Sequence, residues 1–168
     1  MPGPYELYFV RHGLAEERGD AWPDDTKRPL TEEGMARLRK AVRGLSRIGV
    51  AIDVVLTSPL VRARQTAEIV AGGLDPRPSI VNVDSLAPTG SYAAVLADLE
   101  KHSRKSRLAL VGHEPMMGEL AARLVGSRHP IEFKKGGVCR IDVENLPPVG
   151  PADLRWMLTP KILRALKK

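Results

Sequence analysis

The chain has 168 residues, 43% of them hydrophobic and 27% charged, with a formal net charge of +6 and one cysteine, Cys139. A chain of this length is expected to form one domain, residues 1–168, with its own core; the composition excludes disorder, an internal disulfide framework and a membrane-spanning run. Lysine and arginine gather at Arg37 to Arg47, Lys101 to Arg107 and Lys161 to Lys168 with few aromatics between them, which reads as solvated helix faces and a basic tail, so neither nucleic acid nor membrane is an expected partner.

Met1 to Pro4 carry no signal-peptide pattern and lead directly into a strand at Glu6 to Val10, so the expected compartment is the cytoplasm. Arg11-His12-Gly13 follow this strand. The polar stretch from Leu14 to Pro29, with Gly19, Pro23 and Asp24-Asp25, reads as a long loop beside the strand end, either a lid that selects substrate or a plain connection. Thr31 caps a helix with Met35, Leu38, Val42, Leu45 and Ile48 on one core-facing stripe.

A second strand, Asp53 to Leu56, runs into Thr57-Ser58-Pro59. Ser58 reads as an N-cap and Pro59 as the first residue of a helix to about Ala71, stopped by Gly72-Gly73, which places Arg62 in its opening turn. Ser79 to Val83 forms a strand, followed by Leu86-Ala87-Pro88-Thr89-Gly90 and a helix with Tyr92, Val95, Leu96 and Leu99 inward. The strand Leu108 to Val111 leads to Gly112-His113-Glu114 and a helix from Met116 to Val125. Met116 and Met117 either line a crevice or, the favoured reading, fill the core. Strands at Val138 to Val143, with Cys139 as a small core residue, and at Leu154 to Leu158 precede a short helix begun by Thr159-Pro160.

Strands alternating with helices define an α/β fold, a three-layer α/β/α domain around a mostly parallel sheet. Such sheets bind ligands outside the carboxyl ends of their strands, so Arg11, His12, Arg62 and His113 should converge on one crevice. Two arginines, a helix terminus and two imidazoles suit a doubly charged phosphoryl group. Arg64 reads as a surface pair on its helix, and His102 and His129, in polar surroundings, as structural histidines. His113-Glu114 begins like a zinc-protease helix, but position 117 is Met rather than His, and no cysteine or carboxylate cluster supplies further ligands. No metal or cofactor is expected.

Arg11-His12-Gly13, the Arg28-Pro29-Leu30-Thr31-Glu32-Glu33-Gly34 segment, Ser58-Pro59-Leu60-Val61-Arg62-Ala63-Arg64-Gln65-Thr66-Ala67 and Val111-Gly112-His113-Glu114-Pro115 occur in this order. In motif, order and spacing the chain resembles the histidine phosphatase superfamily, with its phosphoglycerate mutase-like fold, from Tyr5 to the Trp156 to Pro160 segment. Its length and the Arg-Pro-Leu-Thr segment resemble the SixA-like phosphohistidine phosphatase branch.

The resemblance implies a metal-independent phosphatase in which His12 attacks phosphorus and carries a phosphohistidine intermediate. The other ring nitrogen of His12 is expected to donate to a backbone carbonyl at Gly13 or in the following loop. Arg11 and Arg62 are expected to clamp the phosphoryl oxygens with Gly13 and Ser58 on the substrate-binding side, and His113 to donate to the phosphoryl group. Relatives that act on phosphate esters carry a glutamate two residues after the leucine that follows the third strand, where this chain has Pro88. An alkoxide needs that acid, whereas an imidazole leaves readily and takes its proton from solvent. Asp84 either substitutes for it or is a turn residue at the strand end. The implied substrate is phosphohistidine on a protein, such as a histidine phosphotransfer domain; the alternatives are a small phosphorylated metabolite and a non-catalytic phosphate-binding role.

Overall fold

A computed structural model describes residues 4–166, so most of the Met1 to Pro4 segment and the last two residues of the basic tail lie outside the described residues. Six strands form one sheet: β1 (Tyr5–Arg11), β2 (Val54–Thr57), β3 (Ser79–Asn82), β4 (Arg107–Gly112), β5 (Val138–Val143) and β6 (Asp153–Leu158), in the order β3-β2-β4-β1-β5-β6. β1 to β4 pair in parallel and β5 pairs antiparallel with both β1 and β6, as expected for a mostly parallel sheet.

The period of two along the central strands separates the two faces. Leu7, Phe9, Leu56, Leu108 and Leu110 pack on one side against α3 (Tyr92–Lys101) and α4 (Met116–Val125). Tyr8, Val10, Val55, Ala109 and Val111 pack on the other against α1 (Glu32–Arg47), α2 (Val61–Gly72) and α5 (Pro160–Ala165). Burial on both faces explains why these strands are near-continuous apolar runs. Each fully buried leucine or phenylalanine contributes about 1.5–3 kcal/mol. Met117 and Cys139 are both fully buried, as core residues. Among the described residues no helix is long and apolar enough to cross a membrane.

Helix α1 begins at its expected cap, where the Thr31 hydroxyl accepts from the Gly34 N–H at 2.8 Å. Gly34 is required here, because a Cβ at that position would lie 2.2 Å from the Leu14 carbonyl oxygen. That close approach seats the chain leaving β1 on the first turn of α1. The stripe on α1 is one member shorter than expected: the helix ends at Arg47, and Ile48, 43% exposed, caps it.

The start of α2 also differs. The helix begins at Val61 with Leu60 as its cap residue in extended conformation, and no side chain caps it. Ser58 is held instead by a bond to His113 at the end of the neighbouring strand β4, and Pro59 and Leu60 form the bend between strand and helix. Arg62 nevertheless remains in the opening turn.

Candidate active site

The parallel ladder continues one residue past β1 and β2. The His12 N–H donates to the Gly112 carbonyl at 3.0 Å and the Ser58 N–H to the Val111 carbonyl at 3.0 Å. These bonds bring the three segments that follow β1, β2 and β4 level with one another, at the carboxyl edge where such sheets bind ligands. The imidazoles of His12 and His113 face each other with ring centroids 5.1 Å apart. Arg11, His12, Arg62 and His113 all line one cavity of about 660 Å³.

His12 is 7% exposed, and its Nδ1 lies 2.7 Å from the Gly13 carbonyl oxygen. A carbonyl only accepts, so Nδ1 carries the proton. Burial, followed by the cations Arg62, Arg11 and Arg28, lowers the His12 pKa to about 4, although the bond to Gly13 opposes the shift. The ring is therefore neutral near pH 7, with its lone pair on Nε2. The loop that supplies the carbonyl is itself fixed, since the Gly13 N–H donates to Thr66 Oγ1 at 3.1 Å and the Thr66 hydroxyl donates to the Arg62 carbonyl at 2.8 Å.

His113 is 4% exposed, and burial with the neighbouring His12 and Arg62 lowers its pKa to about 3. Its Nε2 lies 2.8 Å from Ser58 Oγ, which also accepts from the Leu60 N–H at 3.3 Å. Among the described residues three buried side-chain nitrogens have no protein partner: Arg11 Nε, Arg62 Nε and His113 Nδ1. All three belong to residues of this cavity. Buried polar groups are rarely left unpaired, so three on residues of one cavity suit it to a hydrogen-bond acceptor with several oxygens.

The two arginines are anchored through their terminal nitrogens. Arg11 Nη1 donates to the Phe133 carbonyl at 2.7 Å, and Arg62 donates to Asp25, from Nη1 to its carbonyl at 2.8 Å and from Nη2 to its carboxylate at 3.0 Å. Arg28, also lining the cavity, donates from Nε to the same carboxylate at 2.8 Å and from Nη1 to the Glu16 carbonyl at 2.8 Å. The Arg28 hydrogen bond, aided by the charges of Arg62 and Arg28, holds the Asp25 carboxyl below its usual range.

Several placements differ from the sequence reading. Gly13 and Ser58 do not line this cavity. The Gly13 N–H is taken by Thr66, and the Ser58 hydroxyl by His113, so both orient the imidazoles. Asp84 is exposed, opens a short 3-10 turn at Asp84–Leu86 and does not line the cavity, whereas Pro88 does. The polar loop is more than a connection: Ala15, Arg18, Asp25 and Arg28 all line the cavity. The sequence alone gives Asp25 and Arg28 no role. Arg28 does lead the Arg28-Pro29-Leu30-Thr31 segment, which is its signal; Asp25 has the look of any turn aspartate. Arg64 pairs on the surface with Glu68 and Asn82, as expected.

Comparison with known proteins agrees with this geometry. Residues 7–87 match the model of the histidine phosphatase superfamily (branch 1). An uncharacterized protein of Picosynechococcus is 43% identical over 138 residues, covering 79% of this chain and 82% of its own. The phosphohistidine phosphatase SixA of Escherichia coli is 29% identical over 164 residues, covering 96% of this chain and 98% of its own. A solved structure of the protein histidine phosphatase SixA complexed with tungstate superposes with a TM-score of 0.83 at 28% identity, over 94% of this chain and 99% of that one.

Proposed function

The chain belongs to the histidine phosphatase superfamily as a SixA-like member, and from that premise we propose that it hydrolyses phosphohistidine on a protein, such as a histidine phosphotransfer domain, in the cytoplasm and without a metal. His12 Nε2 attacks the phosphorus in line; the new N–P bond forms as the P–N bond to the substrate imidazole breaks, and the leaving imidazole takes its proton from water. Water then attacks the phosphohistidine, the bond to Nε2 breaks, and inorganic phosphate leaves with His12 restored.

Arg11 Nε, Arg62 Nε and His113 Nδ1 donate to the phosphoryl oxygens as charge shifts between them. Losing one such donor costs about 100- to 1000-fold in rate. For Nδ1 to donate, His113 must carry its proton there, and Ser58 allows this by giving its hydroxyl proton to Nε2 while accepting from Leu60. The tetrahedral oxyanion held by the SixA relative is the kind of ligand these donors fit.

The observation that carries the choice of substrate is the chemistry of the cavity wall. Its carboxylates are Glu16, Glu17, Asp25 and Glu114. Asp25 is paired with three arginines, Arg18, Arg28 and Arg62, and Glu114 accepts from the Gly118 and Phe133 N–H groups. Glu16 and Glu17 stand exposed on the loop. Pro88 lines the wall at the sequence position where the resemblance implies an acid in ester-cleaving relatives, so a leaving group that needs no enzyme proton fits best. The second reading, a phosphomonoesterase for a small metabolite, is favoured by the cavity size alone, since about 660 Å³ falls in the range of small-molecule sites.

A substrate panel separates the two. Phosphohistidine protein and phosphoramidate should be hydrolysed far faster than alkyl phosphates, with p-nitrophenyl phosphate between them, and Asp84→Asn should leave every rate unchanged. Efficient hydrolysis of alkyl phosphates that Asp84→Asn removes would replace this reading with the second.

A further inference from the structure

A second cavity of about 410 Å³ lies beside the catalytic one, between the start of α1, the segment before β5 and helix α5. Its cationic lining is Arg37, Lys134, Lys135, Lys161 and Arg164, with no carboxylate among the lining residues. Leu14, Leu38 and Pro160 supply apolar surface. Leu14 and Lys135 also line the catalytic cavity, so the two spaces share a wall.

Among the described residues only Arg37 of these five cations has a carboxylate partner, Glu33. Four cations left unneutralised in one groove repel one another and contribute nothing to the core, so the arrangement is suited to a negatively charged occupant. Lys134, Lys135 and Lys161 are exposed and Arg164 is half-buried. Inorganic phosphate would need buried, convergent donors such as those around His12, and the groove has none. An apolar floor with a charged rim is the anatomy of a protein interface.

We propose that this groove docks an acidic segment flanking the phosphohistidine of the protein substrate, steering the phosphorylated residue over the shared wall at Leu14 and Lys135 toward His12. The proposal rests on the phosphohistidine reading above. Charge complementarity of this kind governs encounter and partner choice more than chemistry, so it should act on KM and leave kcat in place.

The test compares wild type with Lys134→Glu/Lys161→Glu, both exposed positions outside the catalytic cavity. The substrates are phosphoramidate and two synthetic phosphohistidine peptides, one flanked by Asp and Glu, the other by Asn and Gln. Wild type should prefer the acidic peptide, and the double variant should lose about tenfold in kcat/KM on it through KM, with phosphoramidate turnover unchanged. Wild-type activity on both peptides without a preference, or a preference that survives the charge reversal, overturns the docking proposal alone. A parallel fall on phosphoramidate also overturns it, because the effect would then lie at the catalytic centre. A wild-type protein inactive on phosphoramidate and both peptides overturns the phosphohistidine reading together with this one.

Discussion

Asp25 takes both terminal nitrogens of Arg62, one on its backbone carbonyl at 2.8 Å and the other on its carboxylate at 3.0 Å. The polar loop therefore holds Arg62 by both terminal nitrogens and leaves its Nε without a protein partner. Asp25→Asn keeps the carbonyl contact and removes the ion pairs. It should lower kcat/KM on phosphoramidate by about tenfold, against about 100-fold or more for Arg62→Ala. Vanadate inhibition should weaken in the same order and stay unchanged in Arg64→Ala, whose guanidinium is held by Glu68 and Asn82. Higher activity in Asp25→Asn would show that the carboxylate competes with substrate for the arginine.

In the proposed mechanism Ser58 acts through His113. Its hydroxyl sits 2.8 Å from Nε2, so Ser58→Ala leaves the imidazole free to place its proton on either nitrogen. The expected outcome is a loss of about tenfold or more in kcat with KM little changed, because the donor to the transition state weakens while the arginines still bind the ground state. An equal rise in KM with kcat intact would assign Ser58 to substrate binding instead.

The lowered histidine pKa values set a pH dependence. The nucleophile must be neutral, so the acid limb of kcat/KM on an acid-tolerant phosphate analogue should fall at about pH 4 rather than near the ordinary histidine value. Stability follows the same groups. Below the unfolded value of about 6.5 the unfolded state binds protons that folded His12 and His113 refuse, so stability declines as pH falls toward about 4 for the first and about 3 for the second. Between about pH 7 and pH 5 each histidine should account for roughly 2 kcal/mol of that decline. Urea unfolding at the two pH values should therefore give a smaller difference for His12→Asn/His113→Asn than for wild type.

Much of the fold and of the site was legible because its signals are local. Apolar β-branched runs mark the buried strands, and the residues just past β1 and β4 include His12 and His113, which the sheet brings to one edge. The N-cap reading of Ser58 failed because its hydroxyl bonds a residue 55 positions away in sequence, just past the end of the neighbouring strand β4, which no local pattern records. Asp25 was hidden for the same reason: Asp24-Asp25 has the composition of any turn, and its meaning comes from Arg62, 37 positions further along the chain. Ile48 matched the helical period, but the helix ended before it, where periodicity says nothing about termination.

The central claim is a phosphoryl group carried on His12 during turnover. Wild-type protein quenched during hydrolysis of labelled substrate should hold a covalent label that is labile to acid, stable to base and mapped to His12. His12→Ala should retain its fold by circular dichroism, take up no label and show no turnover. Turnover retained in His12→Ala, or a label stable to acid or mapped to another residue, would contradict the account.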